Sequence, residues 1–178
     1  MSASANGSFG HTPTFVLISG DQVLPKISTN VGVWPNEPLA DALTWFLDGF
    51  SRFRRLPADA LVLPSHGFPF VGMHTRLDQL VAHHDARLGE MTNAIARTGS
   101  TGATGWDMVP VLFPRHLDNN QIVFAFGETL AHLHCLETRK RVNRVVIDGV
   151  HRFVALVDPH AEPPRDDSDS DVMDIGPT

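Results

Sequence analysis

A histidine set in a turn directly after an apolar run is the first feature of this sequence with chemical capacity. Residues 61–70 read LVLPSHGFPF, where the branched and leucine-rich part stops at Pro64 and His66-Gly67 follows. A buried strand that ends this way delivers one polar side chain to the rim of a sheet, and glycine lets the chain turn without a Cβ penalty. An imidazole in that place can ligate a metal or act as a general base. Asp21 has a comparable setting. Residues 14–19 (TFVLIS) have strand composition, and Gly20-Asp21 closes the run, which places a carboxylate at the strand's C-terminal end. A capping or strand-end carboxylate is the equally weighted alternative. A third candidate, His11, sits in the turn Gly10-His11-Thr12-Pro13.

Other residues of chemical interest have plainer readings. His83 and His84 are neighbours on an expected helix, so one should pack and the other should be solvated. His132-Leu133-His134 is the lone H-x-H among the ten histidines, and two positions apart on a helix point in different directions. Trp34 and Trp45 could wall a substrate, although aromatic residues beside a helix face are more often core. Arg139-Lys140-Arg141 with Arg144 forms a basic cluster, read as a solvated helix end in preference to a nucleic-acid contact.

The elements that must position these residues follow from periodicity. Residues 22–38 are irregular, punctuated by Pro25, Gly32, Pro35 and Pro38, and a loop of that length in a compact domain usually serves a function or covers something. Leu39, Leu43, Phe46, Leu47, Phe50 and Phe53 recur at helical spacing up to the Arg54-Arg55 pair and Pro57. A second helix is expected over residues 75–96. Strand, loop, helix and strand in this order predict layered α/β architecture. The small-residue stretch 98–105 reads as a linker. Beyond it, a short helix over 106–113 stops at Pro114, Asp118 or Asn119 caps a helix running to about 139, and Asp148-Gly149 marks a hairpin. The expected division is a disordered N-terminus (1–10), an α/β domain (11–97), the linker (98–105), a helix–helix–hairpin lobe (106–157) that resembles a small winged helix, and a disordered acidic tail (158–178).

Composition bounds the function. The 178 residues suffice for one real core, with 42% hydrophobic and 19% charged residues typical of a globular protein. A net charge of -6 argues against a generic binder of nucleic acid or anionic membrane. A single cysteine, Cys135, excludes an internal disulfide and suits a reducing compartment. The N-terminus lacks the basic and apolar regions of a signal peptide, and no apolar run is long enough to span a bilayer. A cytoplasmic protein is expected.

Taken in order, GHTP (10–13), SGDQVLP (19–25), LPSHGFPF (63–70), HHDARL (83–88) and the helix–helix–hairpin lobe resemble the C-terminal part of a metallo-β-lactamase-fold hydrolase. The nearest resemblance is to the β-lactamase-like protein 2 branch, whose C-terminal lobe is winged-helix-like. It covers residues 10–154. The implied fold is α/β: the second half of an αββα sandwich followed by that small α+β lobe. The resemblance implies two zinc ions, with His11 completing the first site, Asp21 bridging both, and His66 completing the second. Zinc lowers the pKa of bound water to about 7, giving a hydroxide that attacks an ester, a thioester or a related substrate. The sequence departs from the family in lacking the H-x-H-x-D-H motif that supplies most ligands. Moreover, a single strand of about 20 Å at roughly 3.3 Å per residue would set His11 and Asp21 at opposite ends of the sheet. The expectation is therefore the C-terminal portion of a zinc-dependent hydrolase of a small-molecule ester or thioester, inactive as the isolated chain. A non-catalytic scaffold and a winged-helix nucleic-acid binder are the alternatives.

Overall fold

The computed structural model describes residues 15–156; His11, the 1–10 stretch and the acidic tail lie outside the described residues. The first strand, β1 (Val16–Gly20), is followed by the irregular segment to Asp41, helix α1 (Ala42–Phe53) and strand β2 (Leu61–Pro64). Parallel strands need a crossover, and α1 supplies it. β1 and β2 pair in parallel, with Val16 opposite Leu61 and Gly20 opposite Pro64, and a bulge between Ile18 and Gly20 shifts the register. Helix α2 (Met73–Ala96), a short 3-10 turn (Gly99–Thr101), helix α3 (Gly105–Leu112), helix α4 (Asn119–Thr138) and strands β3 (Val142–Ile147) and β4 (Val150–Ala155) complete the chain. This is mixed α/β architecture in the expected order.

Local signals account for most boundaries. The Asp41 carboxylate accepts from the Thr44 N–H and opens α1, three residues later than the apolar period suggested; Leu39 lies outside the helix and is exposed. Asp118 accepts from the N–H groups of Asn120 and Gln121, while the Gln121 side chain accepts from the Asp118 N–H, a reciprocal cap that starts α4. Thr104 and Asp107 form the same device at α3. At the hairpin, Asp148 and Gly149 both have positive φ (51° and 75°), as a two-residue type I′ turn requires.

One apolar cluster holds the elements together. Leu43 and Phe50 of α1, Val62 of β2, Leu77 and Leu88 of α2, Met108 of α3, Leu133 and Leu136 of α4, and Phe153 of β4 all belong to it. Residues 98–105, expected as a linker, take part in this packing. Ala103 is buried and exchanges two backbone hydrogen bonds with Phe153 at 2.9 and 2.8 Å. Glycine is required at 102, where φ is +62° and a Cβ would sit 2.9 Å from the Phe153 carbonyl oxygen.

Candidate functional site

Because β1 and β2 run parallel, their carboxyl ends share one edge, the place where open α/β sheets collect ligands. Asp21 follows β1 directly, and His66 follows β2 after Ser65. The Ser65 N–H donates to the Gly20 carbonyl at 3.0 Å, which ties the two strand exits together. Gly67 has φ +87°, and a Cβ there would meet Pro25 Cγ at 2.8 Å, so only glycine lets the His66 turn pack on the loop after Asp21. His66 Nε2 lies 3.6 Å from Asp21 Oδ1, both side chains being more than half exposed.

The loop behind Asp21 is fixed from several sides. The Ser19 hydroxyl donates to the Val23 carbonyl at 3.0 Å, and the Thr29 hydroxyl donates to the Asp21 carbonyl. Arg76 of α2 reaches across and donates to the carbonyls of Leu24 (2.7 Å) and Ile27 (2.9 Å). Sequence reading missed this positioning residue, because an arginine in the first turn of a helix carries no signal of a partner fifty residues away.

An imidazole and a carboxylate at 3.6 Å are near the spacing of two ligands on one ion, each roughly 2.0–2.2 Å from it. A zinc site takes three or four protein ligands, however, and among the described residues no group of three or more His, Cys, Asp or Glu side chains is placed to hold a metal. The donors present thus do not fit a complete zinc site, and His11 lies outside the described residues. As a pair, Asp21 and His66 can hold and orient a proton or serve as two donors of a larger set.

His84, His132 and His134 are structural. His84 is buried and His83 exposed, as neighbours on a helix should divide. His84 Nδ1 lies 3.3 Å from His132 Nε2, whose own Nδ1 is 2.8 Å from the Glu128 carbonyl. His134 Nδ1 is 2.9 Å from the Ala40 carbonyl, so His132 and His134 do point to different partners. The basic cluster is substantially paired: Arg139 with Asp85 at 2.8 Å, and Arg144 with Glu137.

Trp34 and Trp45 depart from expectation. Neither is core; they are 45% and 62% exposed and line a groove of about 850 Å³ between α1 and residues 29–37. The apolar period of α1 is carried by Leu43, Phe46 and Phe50, which turns Trp45 outward.

Comparison with known proteins relates the chain as a whole to a family. Residues 88–156 match the family described as metallo-beta-lactamase-like, C-terminal domain. A beta-lactamase domain protein from Burkholderia ambifaria is similar over 80% of this chain, at 46% identity and a TM-score of 0.74. A metallo-beta-lactamase family protein from Thermus thermophilus is similar over 79%, at 33% identity and a TM-score of 0.63. The chain spans 42% of the length of each. No curated protein matches it. Among the described residues, no helix is long and apolar enough to cross a membrane.

Proposed function

We propose that this chain, whose residues 88–156 match the metallo-beta-lactamase-like C-terminal domain, furnishes the C-terminal portion of a hydrolase of that fold. The observation that carries this reading is the convergence of Asp21 and His66 at the shared carboxyl edge of β1 and β2. Metal binding is usual in this family, and under this reading the two side chains are donors to its zinc. The other donors come from an H-x-H-x-D-H segment that this sequence does not contain. The isolated chain is accordingly inactive toward the small-molecule esters or thioesters that the complete enzyme would cleave. Residues 11–97 then form part of the metal-bearing lobe and 106–157 the winged-helix-like lobe. The buried cysteine, Cys135, whose thiol is pushed up by burial, suits a reducing, cytoplasmic setting.

Zinc titration of the purified chain tests this. The expected affinity is weaker than micromolar, and His66→Ala and Asp21→Ala each reduce it further, with no ester or thioester hydrolysis above background. Submicromolar zinc lost in both variants would show that the site is complete in this chain and overturn the expected inactivity. Zinc binding indifferent to both substitutions would remove Asp21 and His66 from the donor set.

A further inference from the structure

We propose that the groove between α1 and residues 29–37 binds a planar, apolar molecule bearing one anionic group. Its floor is set by helical spacing. Leu43, Phe46 and Phe50 face the core, so Trp45, Gly49 and Arg52, at i, i+4 and i+7, share the outward face of α1 and all line the groove. Gly49 is the telling residue. Glycine is among the least favourable residues in a helix interior, yet a Cβ at this position would meet nothing within 4 Å. No contact inside the protein requires the side chain to be absent. What its absence provides is a trough between an indole and a guanidinium.

The facing wall is built and held. Trp34 stands across the groove, its ring set edge-on to Phe124 with centroids 5.6 Å apart. The Val33 N–H donates to the Gly127 carbonyl at 3.0 Å, and a Cβ at Gly127 would lie 3.0 Å from the Val33 carbonyl oxygen, so this loop rests backbone to backbone on α4. Asn30 adds a hydrogen bond to Glu128 at 2.8 Å. The wall is therefore in place before any ligand arrives. The cavity volume of about 850 Å³ falls in the range of small-molecule sites, roughly 300–1,000 Å³.

The ligand class follows from the lining. Two exposed indoles offer faces for a flat apolar body. Arg52 is exposed and, among the described residues, joined to no carboxylate, unlike Arg54, which pairs with Asp78 at 2.6 Å. A free guanidinium fork recognises a carboxylate or a phosphate. Glu37, the other charged side chain of the lining, favours a ligand with one negative group over one with several. The groove also adjoins the candidate site: Gln22 follows Asp21 and lines it, as does Thr29, whose hydroxyl donates to the Asp21 carbonyl. If the hydrolase reading holds, the groove receives the non-reacting part of the substrate. Binding itself does not depend on that reading.

The test uses the whole chain in metal-free buffer with 2-naphthoate, and 2-naphthamide as its uncharged counterpart, followed by calorimetry and by the indole N–H signals of Trp34, Trp45 and Trp106 in NMR. Saturable binding is expected to move Trp34 and Trp45 and leave Trp106 unmoved, with the acid favoured over the amide by roughly threefold to tenfold. Arg52→Gln should erase that preference. Gly49→Leu should abolish binding by filling the trough, while Gly49→Ala should melt a few degrees higher than the parent chain, reporting that the helix tolerates a side chain there. No saturation below about 10 mM, a millimolar-scale affinity at the floor of specific binding, overturns the proposal, as does equal affinity for acid and amide or a response confined to Trp106. Because neither metal nor turnover is read, failure here leaves the assignment of Asp21 and His66 standing, and failure of zinc binding leaves the groove standing.

Discussion

His84 and His132 clamp α2 to α4 through two imidazoles that must stay neutral. His132 Nδ1–H donates to the Glu128 carbonyl, leaving its Nε2 to accept from His84 Nδ1–H; His84 Nε2 is buried and has no partner among the described residues. Burial, and for His84 the adjacent His132 as well, pushes the pair down to about 3 (His84) and about 4 (His132). In the unfolded chain both protonate near their ordinary value of about 6.5. The unfolded state therefore binds more protons below that pH, and the stability contributed by the neutral pair is present above 6.5 and lost as pH falls toward 4. Glu128 opposes this. Burial raises its carboxyl to about 7, against a hydrogen bond from Asn30 that lowers it, so the folded state keeps a proton that the unfolded chain releases above about 4.5. Two protons against one leave a net loss of roughly 1 kcal/mol per pH unit between 6.5 and 4.5. Glu128→Gln removes the opposing group, and its urea midpoint should fall about twice as steeply over that window as the parent's. A Glu128→Gln midpoint flat between pH 7 and 5 would mean that the two imidazoles do not titrate with unfolding.

At the scale of elements, the short-range devices carry measurable weight. Asp118 receives two backbone N–H groups at 2.9 and 2.8 Å, and Asp118→Ala should cost about 1 kcal/mol of stability, with Asp118→Ser recovering most of it. Chemical denaturation of the two variants checks this, and equal midpoints for Ala and Ser would show that the cap is inert. Such devices act within three or four residues, which is why the start of α4, the Asp148-Gly149 hairpin and the exits of β1 and β2 were readable in the sequence. The strand-end settings of Asp21 and His66 were legible for the same reason, whereas their shared edge follows from the parallel pairing of β1 and β2. The segment between β1 and α1 was not. Its path is set by Arg76 of α2 and by the Gly127 carbonyl of α4, and neither leaves a trace in local periodicity. The outward face of Trp45 was hidden too, because Leu39 matched the helical period while lying outside the helix.

For the whole molecule, the sheet is the exposed part. Among the described residues β1 pairs with β2 alone, and parallel sheets are ordinarily covered on both faces. Here Val16 and Ile18 project together from β1 at 52% and 80% exposure, and Phe68 and Val71, beyond β2, are 84% and 58% exposed. An apolar strand face beside an open edge is the usual template for pairing with another chain. The helices bury one apolar face in the common core, although Trp45, Trp106, Val123 and Phe124 remain exposed on their outer sides. The chain is therefore expected to self-associate with rising concentration through β1 while its helical part stays folded. Ile18→Lys places a charge on that face at little internal cost, because the side chain touches mainly solvent. Sedimentation velocity across a hundredfold range of concentration should show association in the parent chain and a shift toward monomer in Ile18→Lys, with unchanged helical circular dichroism. A parent chain that remains monomeric throughout would mean that this face is covered. An Ile18→Lys variant that loses helix would instead place Ile18 within the cooperative core.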